Sequence, residues 1–220
     1  MVIFTGGSWG IGHWTNNELT GPGVAQYFSF TDVTLNLCQS GDSNLDQLKK
    51  LKDLLHRFRV AQTDKVYWLV HNPIVNEPVE KICVDQSSLS LSIEKVLHEQ
   101  LSYANELAQQ NNFYIELIGA SCDLNSVDMS NYPHLYVKVP SWGQLLDSTY
   151  PASIFSHQAD HMQDLKQYIE THRPELIEEY NRIGGQAFGK RRTMLKLNHM
   201  FSSFHPTSLA HKKLKDFLIN

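Results

Sequence analysis

A doubly wound α/β domain with a mostly parallel, five-stranded sheet is the fold this chain predicts, on three observations. Five short apolar runs, rich in β-branched and aromatic residues, are spaced through the first two-thirds of its 220 residues. Most are continuous rather than alternating, which suits strands covered on both faces, where neither side meets water. Segments with helical periodicity separate several of the runs, and strands alternating with helices call for a parallel sheet with helices on both faces.

The elements follow in order. Residues 2–4 form the first apolar run and lead straight into a glycine-rich turn. The second run is 33–37, followed over 45–58 by leucines at 45, 48, 51, 54 and 55 that make one apolar helical stripe. The third run is 66–70. Segment 87–110 repeats the helical pattern through Leu91, Val96, Leu97, Leu101, Ala104 and Leu107. Runs at 113–118 and 135–139 complete the sheet, giving a flavodoxin-like three-layer sandwich. Beyond residue 140 the texture changes. Loop and short helix are predicted over 142–155, and helices over 157–172 and 174–183, with Pro174 suited to a first turn. Gly184-Gly185 marks a helix end, and a last helix covers 208–218. The whole reads as a single domain, 1–220, with a helical insertion around 141–200.

Composition narrows the function classes. Hydrophobic residues are 41% and charged ones 19%, ordinary for a soluble enzyme, and the net charge of -4 gives no basic footprint for nucleic acid. Lys190-Arg191-Arg192 is short and reads as a solvated helix face, with an anion contact as the alternative. The three cysteines, Cys38, Cys83 and Cys122, form no CxxC pair. They read as reduced, mostly buried thiols in a cytoplasmic setting rather than a disulfide framework or zinc site. No apolar run approaches the roughly 18 to 20 residues of a membrane span, and the first strand leaves no room for a signal peptide. His157 and His161 have the spacing of one helical face, and His172 lies on the same segment. Without the glutamate of His-Glu-x-x-His they do not make a zinc hydrolase, and no metal or cofactor is expected.

Ligands of such sheets bind beyond the carboxyl ends of the strands, near a topological switch point. The first strand ends in Gly6-Gly7-Ser8-Trp9-Gly10-Ile11-Gly12. Glycines around a serine let the chain turn sharply and expose a hydroxyl and a backbone N–H together. A dinucleotide fingerprint fails here, since the pattern from Gly10 breaks at Thr15, and no lysine supplies a P-loop. A plain structural turn remains the alternative. The second strand leads to Ser40-Gly41-Asp42-Ser43, where the Gly41 N–H is placed to meet an oxyanion, or where Asp42 or Ser43 simply caps a helix. The third ends in His71-Asn72-Pro73, in which an asparagine is usually a turn residue. Near the C-terminus, His205-Pro206 fixes a histidine on a loop ahead of the last helix, where it either serves chemistry or merely caps that helix.

Taken in order, these blocks resemble those of the SGNH/GDSL hydrolases. Gly6 to Gly12 is similar to the Gly-Asp-Ser block, with a glycine four residues after the serine. Gly41 matches the second-block glycine, Asn72 the asparagine of the Gly-x-Asn-Asp block, and His205 the final His-Pro block. The resemblance spans residues 2–218. It implies Ser8 as nucleophile, His205 as base, and an oxyanion hole of the Ser8 and Gly41 N–H groups with the Asn72 side-chain amide. Two departures stand out. Gly7 replaces the aspartate of the first block, a residue that mainly shapes the turn. Ser202 stands three positions before the histidine, where the family keeps its catalytic aspartate, and is the candidate for orienting His205. Asp160 or a backbone carbonyl is an alternative partner.

The implied activity is ester hydrolysis through an acyl-enzyme, on a small-molecule or carbohydrate ester, with an O-deacetylase as the leading form. A catalytically silent binding module and an acyltransferase are the alternatives. Nucleic acid and membrane are not expected partners. Trp9, His13, Trp14, Trp142 and Tyr150 either line a cleft for sugar rings or pack in the core, and His71 either borders the cleft or sits on a surface loop.

Overall fold

The computed structural model describes residues 1–15, 18–29, 32–71, 73, 86–120, 122–149, 161–183, 201–202 and 205–220. Of these, residues 13–15, 18, 86–93, 161–165, 183, 201–202 and 205 are described by their backbone alone. The main sheet has five strands: β1 (Val2–Gly6), β4 (Thr34–Asn36), β5 (Lys65–Val70), β6 (Ile115–Gly119) and β7 (Leu135–Val139). Their order is β4-β1-β5-β6-β7, and every pairing is parallel. That is the predicted doubly wound α/β sandwich. Successive connections leave β1 in opposite directions, so the switch point lies between β1 and β5.

The three inner strands, β1, β5 and β6, are buried on both sides, which is why their sequences read as runs. Ile3, Val66, Trp68, Val70, Ile115 and Leu117 face one helical layer. That layer is α3 (Asn44–Leu55) and α4 (Gln86–Gln110), through Leu48, Leu51, Leu97, Leu101 and Ala104. Phe4, Tyr67, Leu69 and Ile118 face the other. Here lie α2 (Val24–Phe28), α5 (Trp142–Leu146), α6 (His161–His172), α7 (Ile177–Ile183) and the last helix, α8 (Ser208–Ile219). The leucine stripe of α3 falls as predicted: Leu48 and Leu51 are fully buried and Leu54 and Leu55 partly so.

Four features escape the sequence reading: a helix after β1, a hairpin, a second short helix and a late two-stranded ribbon. A short helix α1 (Ser8–Ile11) follows β1 directly, and after it comes a hairpin of β2 (Gly12–Thr15) and β3 (Glu18–Pro22). Helix α2 then packs on α8, where the Tyr27 hydroxyl donates to the Ser208 carbonyl at 3.1 Å. The Val24 N–H donates to the buried His211 Nδ1 at 3.1 Å. A further two-stranded ribbon pairs β8 (Phe201–Ser202) with β9 (His205–Pro206). The predicted Gly184-Gly185 stop, the basic triplet at 190–192, Cys83, Tyr150, His157 and Asp160 lie outside the described residues. Cys122 is buried and Cys38 partly so, and both are free thiols.

Candidate active site

Ser8 sits at the carboxyl end of β1, in the middle of the β4-β1-β5 trio. Strand β1 ends at Gly6, Gly7 is the residue before α1, and the Gly10 N–H returns to the Gly7 carbonyl at 3.1 Å. The chain therefore leaves the sheet in one tight turn with Ser8 at its outer corner, half-buried. Small residues are required on both sides of that turn. On the β4 side, a Cβ at Gly10 would come within 2.3 Å of Cys38 Sγ. On the β5 side, a Cβ at Gly7 would meet His71 Nε2 at 2.9 Å. Such distances exclude a side chain unless the neighbour moves. The Ser8 turn is wedged between the segments that leave the two adjacent strands.

The β4 segment follows β1 beyond the ladder, with Leu37 N–H donating to the Phe4 carbonyl at 2.8 Å and Gln39 N–H to Gly6 at 3.0 Å. Gly41 comes two residues later, exposed, at a left-handed φ of 83°. That value explains the glycine, because a Cβ is disfavoured there even though nothing lies within 4 Å of it. The helix behind it starts later than Gly41. Ser43 is the N-cap of α3, with its hydroxyl accepting the Asp46 N–H in a capping box. Burial, and secondarily Asp42, push the Cys38 thiol well above its ordinary range, so it is held as the neutral thiol beside the turn.

The β5 segment holds the residue that sequence reasoning placed least well. His71 is neither a surface histidine nor an open cleft residue: it is 6% exposed and lies beneath the serine turn. Its Nε2 accepts the Gly7 N–H at 3.1 Å, and the Trp9 ring packs edge-on against it at 6.2 Å. Its own backbone is clamped by Asn44 of α3. The His71 N–H donates to Asn44 Oδ1 at 2.9 Å, and Asn44 Nδ2 donates to the His71 carbonyl at 2.8 Å. The same amide reaches Gln100 Oε1 on α4 at 2.8 Å, and Gln100 Nε2 donates to the Pro73 carbonyl at 3.1 Å. Asn72 itself lies outside the described residues; the residues on both sides of it, His71 and Pro73, are buried and anchored.

A second buried amide serves β1 and the Gly41 segment. Gln47 of α3 is fully buried, and its Oε1 accepts Trp68 Nε1–H at 2.8 Å. Its carbonyl accepts the Thr5 hydroxyl at 3.0 Å, and its Nε2 donates to the Asp42 carbonyl at 3.4 Å. The segments leaving β4 and β5 thus rest on side-chain amides of the helices behind them, and β1 on the main-chain carbonyl of Gln47. Buried amides persist only where their hydrogen-bonding groups are matched, and here they are.

His205 is reached from the other end of the chain. It lies on β9, which packs against α1 and β2, so the fold brings its backbone to the flank of the serine turn. The β8–β9 register sets Ser202 opposite His205. Two aromatic candidates are resolved as core residues: Trp9 is 4% exposed and Trp142 fully buried, in edge-to-face contact at 5.7 Å. No group of three or more His, Cys, Asp or Glu side chains suited to a metal occurs among the described residues. Among them, too, no helix is long and apolar enough to cross a membrane.

No protein-family profile matches the chain, and no curated protein matches it in sequence. Among solved structures, the crystal structure of the lipase/acylhydrolase from Enterococcus faecalis is similar at 12% identity. The match covers 99% of this chain and 92% of that one, with a TM-score of 0.39. The fold assignment rests on the sheet order itself.

Proposed function

We propose that this protein is a serine ester hydrolase working through an acyl-enzyme, with Ser8 as nucleophile and His205 as general base. The observation that carries the reading is the position of Ser8: a half-buried serine on a sharp turn at the carboxyl end of β1, beside the switch point. The packing of the His205 strand on the Ser8 helix supports it.

The chemistry needs no cofactor. Ser8 Oγ adds to the ester carbonyl as its proton passes to His205. The carbonyl π electrons move onto oxygen, where the Ser8 and Gly41 N–H groups and the Asn72 amide would receive them. Each such preorganised donor typically contributes about 2.7–4 kcal/mol. Collapse of the tetrahedral adduct expels the alcohol, which takes the proton from His205 and leaves an acyl-serine. Water then adds with His205 again accepting a proton, and the acid departs as Ser8 regains its hydrogen. Ser202, opposite His205 in the ribbon, is the candidate orienting partner. It lacks the negative charge that would stabilise an imidazolium, and loss of that charge from a complete triad costs about 10⁴-fold in rate. A small ester or a carbohydrate O-acetyl group is the substrate class we assign. The uncharged Ser202 is also what favours the second reading, a silent module that binds such a ligand without cleaving it. An acyltransferase would use the same residues with an alcohol in place of water.

The test is a fluorophosphonate probe with p-nitrophenyl acetate turnover, run on the intact protein, Ser8→Ala and His205→Ala. We expect labelling and turnover in the intact protein and neither in the two variants. A folded intact protein that neither labels nor turns over would instead support the silent module.

A further inference from the structure

We propose that His71 is a positioning residue for the Ser8 turn, acting as a neutral imidazole that accepts the Gly7 N–H and so fixes the backbone leading into the nucleophile. The catalytic part of this inference rests on the esterase reading above; the positioning part does not.

The geometry carries it in three steps. An N–H donor 3.1 Å from His71 Nε2 requires a lone pair on that nitrogen, so the ring proton resides on Nδ1 and the imidazole is neutral in this arrangement. Gly7 is the residue that most needs such a hold. It carries no side chain, adopts φ -87° and ψ -151° just before α1, and has no side-chain cap. An unrestrained glycine there would sample many backbone conformations, and the Ser8 N–H and hydroxyl would move with it. The ring also occupies the space of the missing side chain. A Cβ on Gly7 would lie 2.9 Å from Nε2, 3.2 Å from Cδ2 and 3.3 Å from Cε1. Gly7 and His71 are therefore a matched pair, in which the ring supplies from β5 the restraint that residue 7 lacks.

The ring is in turn held rigidly enough to act. Asn44 clamps both backbone polar groups of His71, Gln100 braces Asn44, and Trp9 packs on the ring. Every oxygen and nitrogen of the Asn44 amide is engaged with His71 or Gln100, so the clamp has one arrangement. Two helices behind the sheet, α3 and α4, thereby set the orientation of the turn in front of it.

The test compares His71→Gln, whose Oε1 can accept the Gly7 N–H but cannot titrate, with His71→Leu, which cannot accept it. In the intact protein, NMR should show a through-hydrogen-bond coupling between the Gly7 amide nitrogen and His71 Nε2. Hydrogen exchange of the Gly7 and Ser8 amides should quicken about tenfold in His71→Leu, the effect of one lost hydrogen bond, and change little in His71→Gln. On an ester substrate, kcat should fall about 100-fold in His71→Leu with KM nearly unchanged, as for a small misplacement of reacting groups. His71→Gln should retain most of it. Melting curves establish that both variants fold. Absence of the coupling, or equal exchange in the two variants, overturns the positioning role. Intact kcat in a folded His71→Leu overturns its bearing on catalysis. A wild-type protein with no esterase activity removes the esterase reading alone, because coupling and exchange still decide whether His71 holds the turn.

Discussion

At the scale of single residues, the serine turn is defined as much by what cannot be there as by Ser8. Gly10 faces Cys38 at a separation that no Cβ tolerates, since one added there would lie 2.3 Å from Sγ and 3.0 Å from the cysteine Cβ. Gly10→Ala should therefore destabilise the protein by about 1–3 kcal/mol, the cost of overpacking a close contact. Removing the obstacle should return part of that loss, so Cys38→Ala in the Gly10→Ala background should be more stable than the single variant. Urea denaturation of the four-member cycle reads the coupling directly. Ser8 was legible in the sequence because glycines surround it on either side of a strand end. The place of His71 was not. Its partner Gly7 lies 64 residues away, and a histidine before Asn-Pro looks the same whether it faces solvent or a backbone N–H.

Helix α3 was readable in both its stripe and its start. The leucine periodicity located it, and of the two caps the sequence offered, Asp42 and Ser43, the structure uses Ser43, with Asp46 in the reciprocal position. The Ser43 hydroxyl lowers the Asp46 carboxyl below its ordinary range, helped by the Ser43 N–H and Lys49 against a smaller opposing effect of burial. A carboxyl lowered in the folded state adds stability above its unfolded value, near 3.9, and loses it as pH falls through the lower folded value. Ser43→Ala should cost about 1 kcal/mol at neutral pH. The gap between the two proteins should narrow on acidification below about pH 4. A gap that stays constant from pH 7 to 3 would mean that Asp46 contributes nothing through the cap. The hairpin β2–β3 and helix α2 were not legible for a different reason. Their strands are four and five residues long, stand outside the main sheet and carry Gly12, Gly21 and Pro22, the composition of a loop. Their order comes from packing on α8 and β9, which no local pattern reports.

For the molecule as a whole, the alternation of apolar runs and helical stripes was enough to give the α/β class, the number of strands and their parallel sense. The strand order was not readable in the same way, because runs covered on both faces look alike wherever they sit in the sheet. What decides the order is which helices fill which face, and here the last helix is decisive. Ala210, Leu214 and Leu218 of α8 are buried in the same cluster as Phe4 of β1 and Tyr67 of β5. Leu214→Ala should cost about 2–5 kcal/mol. The loss should appear as one cooperative transition of the whole fold rather than early fraying of the C-terminus, with circular dichroism and tryptophan fluorescence melting together.

The closure of α8 on α2 has a consequence for the living synthesis of the chain. A ribosome delivers residues 1–70 first, and with them the three strands that surround Ser8. The nascent polypeptide can pair these strands long before the segment carrying His205 and α8 has left the exit tunnel. Until then the face that α8 helps to cover is only partly sealed, and the Ser8 helix lacks the β9 strand that packs beside it. The same late stretch ties α8 to α2 through His211 and Val24 and delivers His205 on β9, so on the esterase reading proposed above burial and chemical competence would arrive together. On that reading, ribosome-stalled chains ending before residue 205 should fail to react with a fluorophosphonate probe, a built-in delay between forming the serine turn and completing the proposed site.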